Sequence, residues 1–484
     1  MPDSTRSRKA ALLAGVFIGV YFLQRAHLSL FARFTPDDLM NSWGAVFRPL
    51  SQTAADCIVF FRFAPTFRPL GTLLYRTSFA VSGFNLLPLR ILLLVMMGLS
   101  VLLVYCFVRR LTLSREAGVL AALAAAYHQE YWPFYFNTGQ LYDILCCFFY
   151  FCALVYYLRI RQSGRLLQWR QMVVFCGLYI LALDSKELVV SLPVVIGAWE
   201  LLFNPPALSL AGWRRFFQRD FLPVWVTGIM TAAFIQGRIL GPQGLSQVGG
   251  YKIAVSLPAY LEGAGHFLGQ FCHAGDYFDA KKTAAFLLAL LLIAVLARSK
   301  SLGLCWILFV VGVLPLVFIA PRGLASAWIP IVGLMACAAI LAVALRDAVL
   351  KLAGRLSWKP AAQVALFLLA AGFELRLQGD ARFMYDAMQR EYDKIQNLRL
   401  SFRKLCPELR KGSRMLIVTE PFGDTYDVVF VVHLLYGDST TQVNQLFRLN
   451  PKPDAAALAS YDYVFDFKDG KLIRLDPATY SKAP

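Results

Sequence analysis

Charge is scarce in this chain. Of 484 residues only 16% are Asp, Glu, Lys or Arg, while 58% are hydrophobic. A soluble domain carries about 25% charged residues, so a soluble globular fold is excluded. The ten cysteines show no metal-ligand spacing. Cys106, Cys146, Cys147, Cys152, Cys176, Cys305 and Cys337 lie inside apolar runs, where cysteine acts as a small hydrophobe. That leaves Cys57, Cys272 and Cys406, an odd number, and no disulfide framework is expected. No Asn-x-Ser/Thr acceptor site is present, and no helical-repeat period is found in the last hundred residues. The segment Arg6-Ser7-Arg8-Lys9 and its apolar run lack a small-residue cleavage site, so they read as an uncleaved first span.

What is present is a series of apolar runs of bilayer length. With a mean hydropathy of +0.55, they specify a polytopic α-helical membrane protein. Eleven spans are expected, near residues 10–31, 88–108, 116–131, 140–158, 172–183, 188–203, 222–239, 283–297, 302–320, 325–345 and 361–373. The net charge of +18 sits in short loops between them, the positive-inside pattern rather than a nucleic-acid surface. With the N-terminus in the cytoplasm, the five inward connections all carry Arg or Lys clusters. The first outer loop is then 32–87, a Gly-rich outer loop is 241–282, and the C-terminal region lies outside.

That region, about 375–484, reads as a small α/β domain beyond a transmembrane part, 1–374. Met415–Thr419 and Thr440–Phe447 read as strands and Asp427–Leu435 as a helix. Tyr463–Phe467 and Lys471–Leu475 flank Asp469-Gly470, a hairpin signal.

The polar residues of the membrane part fall on one side. Thr35-Pro36-Asp37-Asp38 follows the first span. Thr35 suits an N-cap, Pro36 the first turn and Asp38 the third position of a capping box, which leaves Asp37 freer for chemistry. Phe47-Arg48-Pro49-Leu50 recurs twenty residues on as Phe67-Arg68-Pro69-Leu70, the pattern of two short interfacial helices entered through proline. Arginines at headgroup level are natural phosphate ligands, or anchors to anionic lipid. Tyr142-Asp143, Ser185-Lys186-Glu187 and Arg322 share that side. Lys186 and Glu187 read either as a local ion pair or as a phosphate ligand with its support. His266, His273, Asp276 and Asp279 lie on one outer loop with no defined metal spacing.

Taken in order these segments resemble the GT-C superfamily of integral-membrane glycosyltransferases. Phe34–Asn41 resembles its first-loop carboxylate motif. Residues 67–76 resemble the Arg-Pro-Leu segment of the tetratricopeptide-containing protein O-mannosyltransferases and their bacterial relatives. Asn137–Asp143 sits where those proteins carry a Gly-x-x-Asp-type turn, and Ser185-Lys186-Glu187 matches their Ser-Lys-Glu. Arg322–Pro330 is similar to their Arg-aromatic-Pro motif with a longer spacing. The likeness covers roughly 10–345, and the repeats are missing.

It implies a polyprenyl-phosphate-linked sugar as donor, transferred with inversion at the extracytoplasmic face to a glycan, lipid or protein acceptor. Asp37 is the expected base, Asp38 its support, and Arg68, Lys186 and Arg322 the phosphate ligands. Arg48, Tyr142, Asp143 and Glu187 are expected to support them. A divalent metal, used by some members, is left open. The rival is a transporter or flippase of a lipid-linked or anionic solute, which calls for mid-membrane ionisable residues and paired halves; neither is evident. The Ala/Leu/Arg bias and missing acceptor site point to a bacterial inner membrane.

Overall fold

A computed structural model describes residues 2–59, 68–241, 247, 253–379, 382–422, 427–451, 453–468 and 471–477. Phe67, most of the Gly-rich stretch 242–252 and the Asp469-Gly470 turn lie outside the described residues.

The chain begins with helix α1 (Pro2–Ala26). Three short helices occupy the loop between the first two expected spans: α2 (Pro36–Phe47), α3 (Leu50–Ile58) and α4 (Pro69–Ser82). Both Arg-Pro-Leu segments start a helix as their sequence implies, because proline supplies a helical φ where its missing N–H costs nothing. The bundle then runs through α5 (Leu87–Thr112), α6 (Arg115–Ala126), the single turn α7 (Trp132–Phe136), α8 (Leu141–Arg161), α9 (Trp169–Leu183) and α10 (Leu192–Phe203). It continues through α11 (Leu210–Arg215), α12 (Leu222–Phe234), α13 (Leu257–Phe271), α14 (Ala280–Leu296), α15 (Lys300–Gly312), α16 (Leu314–Val317), α17 (Trp328–Leu352) and α18 (Lys359–Leu377).

Six described segments are long and apolar enough to cross a membrane: Lys9–Phe31, Leu87–Thr112, Thr138–Arg161, Lys300–Val317, Leu324–Leu352 and Leu356–Leu377. The other expected spans are shorter helices. α6 and α10 have 12 residues, α12 has 13, α9 has 15 and α14 has 17. Several are extended by a tight or loose turn, such as the 3-10 turn Glu187–Ser191 before α10 and the π turn Ile235–Ile239 after α12. The expected third span stops early: α6 ends at Ala126, and Gln129–Tyr131 is a separate 3-10 turn.

α8 lies at the centre, packed against α5 and α9, while α17 packs on α15 and α6. Tyr150, Phe151, Leu154 and Tyr157 of α8 are fully enclosed. α18 is the opposite case. Val364, Leu368, Leu369 and Phe373 are bare, which a helix tolerates when its solvent is hydrocarbon.

The tail opens with α19 (Arg382–Leu405), a helix the sequence reading did not single out. It continues through β1 (Arg414–Ile417), α20 (Asp427–Tyr436), β2 (Gln442–Gln445), α21 (Ala455–Ala459), β3 (Tyr463–Lys468) and β4 (Lys471–Leu475). The sheet order is β2-β1-β3-β4, with β1 parallel to β2 and β3, and β3–β4 antiparallel. α20 rests on α2. Trp43 Nε1 donates to His433 Nδ1 at 2.9 Å, and the Trp43 ring meets Phe430 at 5.6 Å between centroids. The tail thus bears directly on the helix whose first turn carries Asp37.

Candidate active site

The two lips of the bundle are chemically distinct. One gathers the first loop, the α7–α8 turn, the segment between α9 and α10, and the Arg322 turn. The other gathers the ends of α5, α8, α10 and α17.

On the first lip Thr35 caps α2. Asp38 N donates to Thr35 Oγ1 at 3.1 Å, and Thr35 N donates to Asp38 Oδ2 at 2.9 Å. This is the reciprocal box expected from the sequence. Asp38 is fully buried, and Tyr75 donates to its other oxygen at 2.8 Å. Burial raises the Asp38 carboxyl, while the Arg90 charge and the Thr35 and Tyr75 hydrogen bonds pull the other way. Both Asp38 oxygens are occupied by fixed donors, so it holds α2 rather than facing a ligand.

Asp37, one residue earlier, is exposed. Asn137 Nδ2 donates to its Oδ2 at 3.1 Å. Asn137 is itself pinned, since its Oδ1 accepts from Gly139 N at 2.7 Å. Gly139 must be glycine here: a Cβ on it would lie 2.8 Å from Asp37 Cβ. The α7–α8 turn therefore lies directly under Asp37 and fixes its rotamer. The sequence places Asn137 in the Asn137–Asp143 segment without assigning it a role. Its signal is an Asn two residues before a glycine in a turn, the geometry of a side chain that caps its own backbone.

Behind Asp37 stand two ion pairs. Lys186 Nζ meets Asp143 Oδ1 at 2.5 Å, both buried. Arg68 Nη2 reaches Glu187 Oε1 and Oε2 at 2.9 and 3.2 Å. Lys186 and Glu187 are therefore not paired with each other; each binds a residue more than forty positions away. The reason is local geometry, since adjacent residues at the start of a 3-10 turn point in different directions. Burial raises the Glu187 carboxyl, but Arg68 and then Lys186 outweigh it and hold it below the usual range. Arg68 also lies over the Tyr142 ring, 5.2 Å from its centroid, and Tyr142 OH donates to Asn41 Oδ1 at 3.0 Å. Gly71 allows that ring in, because a Cβ there would sit 2.2 Å from Tyr142 Cε1.

Arg48 is tied to the buried Asp56 at 2.5 Å. A further pair, absent from the sequence reading, joins Arg238 to Asp184 at 3.4 Å, with Arg238 Nη2 also donating to Asp56 O at 2.7 Å. Burial, opposed by Arg238 and reinforced by Asp56, pushes the Asp184 carboxyl up to about 7. Arg322 lies between α16 and the next turn, where its carbonyl accepts from His266 Nε2 at 3.1 Å, and α16 packs on the turn that follows Lys186.

The carboxylates described on this lip are not gathered into a ready-made divalent-metal site. No group of three or more His, Cys, Asp or Glu that could hold one occurs among the described residues. Asp38, Asp143 and Glu187 are committed to Tyr75, Lys186 and Arg68, while Asp37 is exposed. The outer-loop residues are also occupied. His273 stacks on His128, centroids 4.6 Å apart, and Asp279 caps α14 by accepting from Lys282 N at 2.8 Å. All ten cysteines are free.

At the opposite lip, Arg161 grips Glu200 through Nε and Nη2 at 2.6 and 2.7 Å and reaches Asp220 at 2.9 Å. Asn204 and Tyr157 complete the shell around Glu200.

Among solved structures the chain is similar to the oligosaccharyltransferase of Archaeoglobus fulgidus. The apo crystal structure aligns at 14% identity and a TM-score of 0.49, covering 91% of this chain and 65% of that one. The archaeal enzyme AglB, in complex with an inhibitory peptide and a dolichol-phosphate, aligns at 14% and 0.46, covering 95% and 69%. The chain thus spans about two thirds of the length of these structures. No curated protein sequence matches it. Residues 65–214 match the family described as dolichyl-phosphate-mannose-protein mannosyltransferase. Arg68, Asp143, Lys186 and Glu187 all lie within that stretch.

Proposed function

We propose that the chain is a multi-pass membrane glycosyltransferase that moves a sugar from a polyprenyl phosphate to an acceptor hydroxyl or amide at the extracytoplasmic face, with inversion. The observation that carries this reading is the contrast between Asp37 and its neighbours. Asp37 is exposed and held by Asn137, whereas Asp38, Asp143 and Glu187 are taken up by Tyr75, Lys186 and Arg68, and Asn137 lies inside the matched segment.

In this mechanism Asp37 accepts or orients the acceptor proton as the acceptor atom attacks the anomeric carbon. The bond from that carbon to the phosphate oxygen breaks, and both its electrons leave with the phosphate. Negative charge grows on that leaving group. Lys186, which keeps two N–H donors beyond the one given to Asp143, neutralises it together with Arg68 and Arg322. Asp143 and Glu187 position the two cations, Tyr142 and Arg48 steady the surrounding loop, and Asp38 holds the helix. No step needs a metal.

The topology belongs to the same reading. Eleven crossings put the N-terminus in the cytoplasm and residues 375–484 in the periplasm of a bacterial inner membrane. Its support is the sorting of loops between the two lips. Every connection assigned to one side meets others of that side, as in Asp37–Asn137 and Lys186–Asp143, or Arg161–Asp220 and Arg346–Glu116.

The test is transfer from radiolabelled polyprenyl-phosphate sugars, mannose first, by the purified full chain. Wild type is expected to label an acceptor fraction from the source membrane and Asp37→Asn to lose that labelling. Undiminished transfer by Asp37→Asn rejects the site. Uptake of a lipid-linked solute into proteoliposomes with no transfer rejects the activity.

A further inference from the structure

A second polar site lies on the same lip, where α19 crosses the entrance to α2. A cavity of about 290 Å³ opens there between the Leu30–Phe34 turn, the α4–α5 connection and α19. Arg33, Phe84, Asn85, Tyr392, Gln396 and Arg399 contribute to its walls. Phe34, three residues before Asp37, lines it as well.

The charges are unbalanced. Arg33 is paired with Asp393 at 2.5 Å, both side chains about half exposed. Arg399 has no carboxylate partner among the described residues. Its guanidinium lies 4.8 Å from the centroid of Phe84, and its Nε is buried with no hydrogen-bond partner. Burial and the neighbouring Arg403 both work against its charge. A half-buried cation stacked on an aromatic ring at the wall of a polar cavity is costly unless an anion completes it. Gln396 and Asn85 add amides suited to hydroxyl groups, and Phe84 adds an aromatic wall. The size suits one small headgroup rather than a chain of sugars.

We infer that this cavity is an anion-binding site, taking a phosphate or carboxylate group on Arg399 with the hydroxyls beside it on Gln396 and Asn85. It is separate from Arg68 and Lys186, which sit behind Asp37 on the segments between α3 and α4 and between α9 and α10. Its ligand is either the headgroup of an anionic glycolipid or a soluble acidic sugar. Both present the same chemistry, and neither assignment depends on the transferase reading.

The experiment uses the full chain in nanodiscs of zwitterionic lipid, with glycerol 3-phosphate and glucuronate as probes observed by saturation-transfer NMR. Wild type is expected to bind both. Loss of a charge-assisted contact weakens binding about tenfold or more, so Arg399→Gln is expected to lose the signal and Arg399→Lys to keep part of it. Thermal unfolding of each variant checks the fold, and Gln396→Leu, which leaves the cation in place, offers a milder second variant that should weaken glucuronate more than glycerol phosphate. Repeating the titration in nanodiscs containing phosphatidic acid separates the sources: displacement of the probes assigns the site to a lipid headgroup, and undisturbed binding assigns it to a soluble anion. Binding that is equal in wild type and Arg399→Gln overturns the proposal. So does probe binding that is lost in a folded Arg68→Gln variant but intact in Arg399→Gln.

Discussion

The two ends of α8 carry the same kinds of residue put to different use. At its start Asp143 holds Lys186, and at its end Arg161 holds Glu200. A helix of 21 residues separates them by about 30 Å. The Arg161 end is closed. A planar guanidinium meets both oxygens of one carboxylate and a second acid besides, with Asn204 and Tyr157 filling what remains. The Lys186 end is left open. A point charge meets one oxygen, Asp37 faces outward, and Asp184 is raised. Ion pairs alone do not mark a site. Incomplete satisfaction, in a place where a ligand can arrive, does.

The comparison can be broken most directly at Asp37. Asp37→Asn is expected to cut transfer by about 10²–10⁴-fold, the usual contribution of a positioned acid or base, with unchanged thermal unfolding. Glu200→Ala should do the reverse. It leaves Arg161 with the partly exposed Asp220 alone and is expected to cost up to about 3–5 kcal/mol of stability, read as a lower unfolding temperature in detergent, while the folded fraction keeps its KM for donor. If Glu200→Ala abolishes turnover in folded protein, the two ends are not functionally separate.

A smaller effect concerns pH. The Asp184 carboxyl lies at about 7 when folded, against about 3.9 when unfolded. Between those values the folded chain holds a proton that the unfolded chain has lost. The stability from this group is therefore fully present below about pH 4 and declines as pH rises to about 7. Asp184→Asn is expected to flatten that part of the profile, and an unchanged slope would assign it elsewhere. The smallest effect is expected from Trp43→Phe. It removes one hydrogen bond to His433, worth about 1 kcal/mol, and should show as earlier release of the tail in hydrogen exchange.

Much of the architecture is legible from local rules. Thr35 and Asp38 form their box because capping needs only four adjacent residues. Pro49 and Pro69 start helices because proline fixes φ alone, and the hydropathy runs give the bundle its helices. Partnership was less legible. Lys186 and Glu187 read equally well as a pair, and only the fold sends them to Asp143 and Arg68. The Arg238–Asp184 contact joins the end of one span to the start of a loop fifty residues earlier, and nothing in either neighbourhood announces it. α19 is rich in charge and carries no long apolar run, so hydropathy does not mark it. Its amphipathic spacing, with Tyr392, Ile395, Leu398 and Phe402 buried on one face, was available.

The contact between Trp43 and His433 spans 390 residues. During synthesis α2 leaves the ribosome well before the surface it rests on, which is made 390 residues later. Until α20 is translated, the helix that presents Asp37 has one face uncovered. A nascent chain paused before α20 would hold its membrane helices yet lack the aromatic and hydrogen-bonded support that Phe430 and His433 give to α2.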